Sequence, residues 1–299
     1  GHQGRALRAG DVLRWIDADG VNFTEPLKQD LQVDLAKRYT LNVLLGPHAA
    51  PDFFTPDGID QLFEASWQVD HNSNRTGIRL NGPAPNWARE DGGEAGLHPS
   101  NIHDSAYVFG AMDFTGDMPV ILGPDGPSLG GFVCPVVVTN ADRWKLGQLV
   151  PGDTVQLRLV DRHQAQKMSA EQAAWLAGET GKSVEPAISY SGKSGTATQV
   201  RLYEDEDVVI RQAGQEWLLI EFGAAVLDLQ MRIVVGQFAQ ILKDSDLSGI
   251  VEQTAGVRSL LVRFDMGVWT HDALTKALQP LLHEAIGQET HEVESRIVH

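Results

Sequence analysis

Short apolar runs, each broken by Gly, Pro, Asn or Asp, dominate the first half of the chain. This pattern is typical of strands joined by tight turns. The β-branched run at 136–138 has the composition of a buried strand. One helix is predicted at 57–64, where a Pro-Asp-Gly turn opens the segment and Ile59, Leu62 and Phe63 fall on one face. We predict strands at 39–45, 119–122, 132–139 and 154–160.

The second half of the chain alternates strand-like runs with segments of helical periodicity. Residues 169–199 separate the halves: a short helix is predicted at 169–181, and a stretch rich in Ser, Gly and Thr follows. Beyond it, we predict strands at 200–203, 208–212, 217–222, 250–253, 258–264 and 292–298, and helices at 228–242 and 272–286. This order favours an antiparallel sheet covered on one side by helices.

The predicted fold class is therefore mainly β plus α+β, in two domains. We place a β-barrel domain at 1–168, a linker or surface excursion at 169–199, and an α+β domain at 200–299. A chain of 299 residues is long enough for two ordinary domains.

Charge and cysteine content exclude several functions. The formal charge of −16 disfavours binding to nucleic acid and to anionic membranes. No apolar run approaches the roughly 20 residues of a spanning helix, and the polar start does not resemble a signal peptide. Cys134 is the only cysteine, in an apolar run that predicts a buried thiol. We expect a reducing, cytoplasmic setting.

Polar and glycine residues concentrate at 99–132, which makes this segment the main candidate for chemistry. Asn101, His103 and Asp104 lie on a predicted loop, and Asp125 opens the sequence DGPSLGG, whose glycines allow backbone NH groups to approach a ligand closely. Spacing alone favours two ordinary hairpin turns over such a site. No nucleotide-binding glycine loop, biotin-attachment sequence or helical zinc spacing occurs, so no metal site is predicted.

A family resemblance extends this interpretation. The sequences NRTGIRL from Asn74, SNIHD from Ser100 and GDMPVILGPDGPSLGGF from Gly116 resemble the allophanate hydrolase subunit 2-like module, and within it the urea carboxylase branch. The sequences LDLQMR from Leu227 and GVRSLLVRFD from Gly256 resemble the first half of the subunit 1-like module. Together they cover most of the chain outside 169–199.

The resemblance implies a fold and a wider enzyme. The subunit 2-like module has a cyclophilin-like β-barrel, and this chain is expected to contain part of it. The first residues resemble the middle of that module, and residues 295–299 resemble the point where the subunit 1-like module continues. The chain is thus expected to be a region of a larger enzyme. The biotin carboxylase domain, which uses ATP, and the biotin carboxyl carrier domain would lie outside it.

The resemblance also implies the reaction. Carboxybiotin, supplied by the carrier domain, would pass its carboxyl group to urea and give allophanate. This transfer needs a base for the urea nitrogen, acceptors for its N–H groups and donors for the departing biotin. We assign the catalytic roles to Asp125, Asp104 and Asn101, and the binding of substrate or carboxybiotin to Arg75, His103, Ser128, Gly130 and Gly131.

Three alternatives stay open at this point. Guanidine as substrate would need an extra unpaired carboxylate, for which Asp104, Asp113 and Asp117 are candidates. A 5-oxoprolinase component would share both modules but would use ATP directly. A regulatory binding module would share only the subunit 1-like fold and would bind a protein partner.

Overall fold

The computed structural model describes residues 5–14, 35–89, 92–94, 97–179 and 199–287. The chain forms two compact units, Gly1–Asp34 and Leu35–His299. In the first unit, the Arg5 guanidinium donates to both carboxylate oxygens of Asp11, at 2.7 and 2.8 Å. All further elements belong to the second unit.

Seven strands close into a barrel. They are β1 (Arg38–Leu45), β2 (Trp67–Val69), β3 (Gly77–Asn81), β5 (Ala111–Thr115), β6 (Met118–Leu122), β8 (Val136–Val138) and β9 (Thr154–Leu159), in the order β1-β8-β5-β6-β3-β2-β9. Only β1 and β9 pair in parallel among these strands. Successive side chains alternate between the two faces, so that Met112 and Phe114 enter the barrel core while Asp113 lies on its outer face.

The predicted first helix is confirmed as α1 (Pro56–Glu64). Thr55 caps it by accepting a hydrogen bond from Gly58 N, and Ile59, Leu62 and Phe63 are buried in the barrel core.

A two-stranded ribbon lies beside the barrel. It consists of β4 (Asn101–Ala106) and β7 (Leu129–Phe132), which pair antiparallel. The predicted strand at 132–139 is therefore two strands, β7 and β8, since Pro135 lacks a donor and Cys134 N donates instead to the His48 ring.

Two helices follow the barrel strands: α2 (Arg143–Leu146) and α3 (Arg162–Leu176). The prediction of a helix at 169–181 placed its start too late. Asp161 accepts from Gln164 N, and the Gln164 side chain accepts from Asp161 N, which fixes the start of α3 as a capping box. The rest of the predicted linker, 180–198, lies outside the described residues.

The second sheet has five antiparallel strands, β10 (Arg201–Glu204), β11 (Val208–Gln212), β12 (Trp217–Phe222), β13 (Ile250–Ala255) and β14 (Ser259–Phe264), in the order β10-β11-β12-β14-β13. Helices α4 (Leu229–Asp244) and α5 (His271–Ile286) pack on one face, against Leu218, Ile220 and Phe222 of β12. These elements confirm the predicted ones between 200 and 286, and the predicted strand at 292–298 lies outside the described residues.

The other face of this sheet packs against the outside of the barrel. The shared apolar core includes Val108, Val120 and Val137 from the barrel side and Trp217 and Leu261 from the sheet. The expected fold class, mainly β plus α+β, is confirmed. The domain division at 168 and 199 stays a prediction. Within the described residues, no helix is both long and apolar enough to cross a membrane.

Candidate functional site

A bulge in β4 carries two of the predicted site residues, His103 and Asp104, and a third, Asn101, directly precedes it. Asn101 pairs with Phe132, but the next pair along the ribbon is Ser105 with Gly130. Asn101 and Ser105 are four positions apart on β4, whereas their partners are only two positions apart on β7. The residues between Asn101 and Ser105 therefore do not follow the regular pairing of the two strands. Bulges of this kind redirect side chains and are frequent beside active sites. We define the β4 bulge as residues 102–104.

Residues outside the ribbon hold the β4 bulge. His103 N donates a short hydrogen bond to Glu94 Oε2, and the His103 imidazole Nε2 lies 3.9 Å from the same oxygen. Arg89 Nη1 lies 3.8 Å from Glu94 Oε1, and Arg89 Nη2 donates to the carbonyl of Asn101 at 2.8 Å. Arg89, Glu94 and His103 therefore form one half-buried polar cluster.

Asp104, for which we predicted a catalytic role, is hydrogen-bonded to the second sheet. Its Oδ2 accepts from Val257 N at 2.8 Å and from the Ser259 hydroxyl at 3.0 Å. Both donors belong to the β13–β14 hairpin of the second sheet. This carboxylate therefore connects the ribbon to the sheet, and its donors compete with any substrate for it.

The glycines of β7 allow neighbouring groups to pack closely against the strand. A Cβ at Gly130 would overlap the Tyr107 ring, and one at Gly131 would come within 2.8 Å of Ile102 O. The Tyr107 hydroxyl donates to Phe132 O at 2.9 Å and accepts from Phe132 N at 2.6 Å. The predicted binding role of Gly130 and Gly131 therefore finds no geometric support.

The first NH groups of the Asp125 loop are already hydrogen-bonded. Gly123 N donates to Thr76 O at 3.0 Å, Asp125 N to Arg75 O at 3.2 Å and Gly126 N to Gly123 O at 3.0 Å. Ser128 is exposed, and its carbonyl accepts from Tyr107 N at 2.9 Å. The NH groups of residues 123, 125 and 126 are therefore not free to form the expected cradle.

Arg75 and Asp125 form an exposed ion pair. Arg75 Nε lies 2.6 Å from Asp125 Oδ2, and the Asp125 side chain is 54% exposed. The hydrogen bond from Arg75 lowers the pKa of Asp125 below its usual range. A carboxylate with a lowered pKa is a weaker base, so this geometry opposes the predicted role of Asp125 in deprotonation.

A buried ionic network lies at the junction between the barrel and the second sheet. Glu221 on β12 accepts from Arg211 Nε and from Arg258 Nη2, each at 2.6 Å. Burial alone would raise the pKa of Glu221, but Arg258 and Arg211 outweigh it and the pKa is lowered. Arg211 Nη1 also lies 3.5 Å from Asp52 of the barrel side. Arg201 Nη2 donates to the same carboxylate oxygen of Asp52.

His48 completes the network from the barrel side. Its burial lowers its pKa to about 3, so the ring is neutral, and Nδ1 accepts from Cys134 N at 3.1 Å. Sequence reasoning missed His48 and Arg211. Arg211 follows three apolar residues in the strand VVIRQ, and Glu221 lies in the neighbouring, mainly apolar strand WLLIEF. Two opposite charges in adjacent apolar strands could have indicated a buried ion pair.

The three carboxylates considered for a guanidinium substrate occupy separate settings. Asp104 binds the second sheet, Asp117 accepts from Trp87 Nε1 at 2.9 Å, and Asp113 is buried. Burial raises the pKa of Asp113 to about 7, despite the opposing charge of Arg79. A carboxyl group with a pKa near 7 is only partly ionised at neutral pH, which weakens its attraction for a cation.

A cleft of about 410 Å³ lies between α4 and β13, and its lining residues include none of the predicted site residues. In the part of the chain that the structure describes, no group of three or more His, Cys, Asp or Glu side chains is arranged to hold a metal ion.

Comparison with known families defines the class of this protein. Residues 1–159 match the family model described as carboxyltransferase domain, subdomain A and B, and residues 208–299 match carboxyltransferase domain, subdomain C and D. The chain belongs to the carboxyltransferase domain family.

Individual relatives narrow this class. The chain is 37% identical over 310 residues to the urea amidolyase of Saccharomyces cerevisiae, and 39% identical over 293 residues to that of Lachancea kluyveri. These alignments cover 100% and 89% of this chain but only 17% and 15% of the relatives. The crystal structure of the Kluyveromyces lactis urea carboxylase matches with a TM-score of 0.75 and 39% identity, over 85% of this chain and 23% of that one.

The family resemblance noted in the sequence is thus confirmed. The chain spans less than a quarter of the length of these relatives.

Proposed function

We propose that this chain supplies part of the carboxyltransferase of a biotin-dependent urea carboxylase, which converts urea to allophanate. The observation that carries the proposal is the structural match to a urea carboxylase along 85% of the chain, at 39% identity. The parent enzyme would be a ligase whose ATP-dependent biotin carboxylase domain and biotin carrier domain lie elsewhere, and which acts in the cytoplasm.

The reaction sets clear demands on the protein. A urea nitrogen is a poor nucleophile, because its lone pair is delocalised into the carbonyl. As its new bond to the carboxyl carbon forms, it must lose a proton to a base. The bond between that carbon and the biotin nitrogen breaks at the same time, and nearby donors must stabilise the charge left on the biotin ureido group. Carboxybiotin supplies the activated carboxyl group.

Within the predicted set, the ribbon offers the best match to the urea side of these demands. Asn101 and His103 are partly exposed on β4, and neither side chain is committed to the second sheet. The Asn101 side-chain oxygen can accept from urea N–H groups. The His103 imidazole, backed by Glu94, can take a proton. We assign urea recognition to Asn101 and proton acceptance to His103.

Arg75 is the predicted residue that best fits the carboxyl or ureido group. Its pair with Asp125 uses Nε and Nη2, and its side chain is 73% exposed. Asp125 then has an orienting role, because it fixes the plane of that guanidinium. The NH groups of Gly123, Asp125 and Gly126 already donate to backbone carbonyls and are not free to bind this group.

The hydrogen bonding and ionisation of the candidate carboxylates favour urea over guanidine as the substrate. A guanidinium ion would need an unpaired negative charge. Asp104 accepts two hydrogen bonds from the second sheet, Asp125 is paired with Arg75, and Asp113 is buried and only partly ionised at neutral pH. We therefore expect urea to be the substrate, and guanidine and 5-oxoproline to be poor ones.

Substrate choice is testable by competition in the parent enzyme. With labelled bicarbonate and ATP, urea is expected to give labelled allophanate at a kcat/KM at least about 100-fold above that for guanidine, since a neutral pocket leaves a cation without a partner. Label transfer to guanidine at a comparable kcat/KM would contradict the assignment.

The role of Asp125 gives a second test. Asp125→Asn is expected to lower the rate of carboxyl transfer by less than about 10-fold, whereas loss of a general base costs on the order of 100-fold or more. His103→Gln, the matched change at the residue assigned as proton acceptor, is expected to show the larger loss. A larger loss of transfer rate in Asp125→Asn than in His103→Gln would instead identify Asp125 as the base. ATP-dependent carboxylation of biotin, measured in the same preparations, serves as the control for folding.

A further inference from the structure

The β4 bulge depends on the second sheet for its position. Pairing with β7 fixes Asn101 and Ser105, but residues 102–104 between them are outside the regular register. Two carboxylate contacts replace the missing ladder: Glu94 accepts from His103 N, and Asp104 accepts from the β13–β14 hairpin. The second of these contacts joins residues 153 and 155 positions apart in the chain.

The hairpin is shaped to receive Asp104. Gly256 is buried, and a Cβ at this position would overlap Asp104 Oδ2 and come within 2.7 Å of the Ser259 hydroxyl. Gly256 N donates to Ser259 O at 2.8 Å, which closes the turn and leaves Val257 N and the Ser259 hydroxyl directed at the same carboxylate oxygen. A glycine is required here by space, not by backbone conformation.

The hairpin is itself rigid. Arg258, between the two donors, is buried and bound to Glu221, and Glu221 is bound to Arg211 on β11. Phe222 N donates to Arg258 O at 2.9 Å, which joins the turn to β12. The position of Asp104 is therefore set by the framework of the second sheet and not by a mobile loop.

We propose that the turn 256–259 is a positioning element for carboxyl transfer: by holding Asp104, it fixes the β4 bulge and with it the placement of His103 and Asn101. This inference rests on the proposed function for its link to catalysis, but the positioning itself is a property of the described chain. Asp104, Gly256 and Ser259 act through the bulge and are positioning residues.

Hydrogen exchange on the chain tests the positioning without reference to activity. Ser259→Ala removes one donor to Asp104 and is expected to speed exchange of the His103 amide by at least about 10-fold, because the bulge loses part of its anchor. Gly256→Ala, which displaces the carboxylate, is expected to act more strongly. Ser245→Ala is the matched control, since that hydroxyl donates to Leu242 O at the end of α4. Unchanged exchange at His103 in both hairpin variants would overturn the proposal.

Kinetics of the parent enzyme test the link to transfer. Ser259→Ala is expected to raise the KM for urea by at least about 5-fold while ATP-dependent carboxylation of biotin is unchanged. Asp104→Asn, which keeps the side-chain volume, provides the same readout if Ser259→Ala folds poorly. Faster exchange with an unaltered KM and kcat would show that the bulge does not serve transfer, and would overturn the proposal. If the unmodified enzyme fails to carboxylate urea, the proposed function fails, and the exchange rates alone decide whether the hairpin positions the bulge.

Discussion

Glu221→Gln is expected to lower the free energy of unfolding by about 3 to 5 kcal/mol. Glu221 is buried and accepts hydrogen bonds from two buried guanidinium groups, those of Arg211 and Arg258. Glutamine keeps the shape of the side chain but removes its charge, so Arg258 would lose this anionic partner and Arg211 would keep only Asp52, 3.5 Å away. A loss of this size corresponds to a fall in Tm of roughly 5 to 15 °C for a chain of this length.

An exposed glutamate provides the matched control. Glu204 pairs with Arg201 in the same sheet, at 2.5 Å, but its side chain is 46% exposed. Surface pairs contribute about 0 to 1 kcal/mol, so Glu204→Gln is expected to leave Tm nearly unchanged. If calorimetry gave equal shifts for both variants, the junction network would not be the stabilising feature that its burial indicates.

The ionisation of Asp113 is expected to produce the second large effect, a loss of stability as the pH rises from about 4 to about 7. Its pKa is raised to about 7 in the folded protein, chiefly by burial, and is about 4 in an unfolded chain. Below pH 4 both states hold the proton, and the stabilising contribution is fully present. Between the two pKa values only the folded state holds it, so stability falls by about 1.4 kcal/mol for each pH unit of the window.

Asp113→Asn isolates this contribution, because asparagine does not titrate. The difference in unfolding free energy between the variant and the original chain is expected to grow in favour of the variant from pH 4 to pH 7 and to be constant above pH 8. His48 and His271, whose pKa values are lowered to about 3 and about 4, give both proteins the same opposite slope below pH 6.5. A difference that is flat across the window would show that Asp113 ionises normally.

Much of the fold was predictable from local patterns, and the exceptions have local causes. Short apolar runs broken by turn residues indicated β1 and β9, and helical spacing of apolar residues indicated α5. The run 132–139 was predicted as one strand because all its residues except Pro135 suit a strand. The break depends on His48, which takes the Cys134 NH from 86 positions away. A pattern in a short stretch of sequence cannot predict a contact between residues so far apart.

For the candidate site, the sequence predicted which residues lie together but not the contacts that they make. Asn101, His103 and Asp104 do lie together on one irregular strand. Asp104 is taken by donors from the second sheet, a contact that only the packing of the two sheets creates. The glycines at 130 and 131 suggested a ligand-binding backbone, whereas they make room for Tyr107 and for β4. A glycine in the sequence indicates that another group packs close to the backbone, but it does not identify that group.

The central claim, carboxyl transfer to urea, is tested most directly in a single turnover. A biotin carrier domain of the parent enzyme, carboxylated with ¹³C-bicarbonate and freed of ATP, is mixed with the carboxyltransferase region and urea, and the products are followed by ¹³C NMR. The account predicts that the label leaves the carrier and appears in the allophanate carboxylate only when urea is present, and that His103→Gln slows this step by on the order of 100-fold. Release of the label as bicarbonate at the same rate with and without urea, with no allophanate signal, would contradict it.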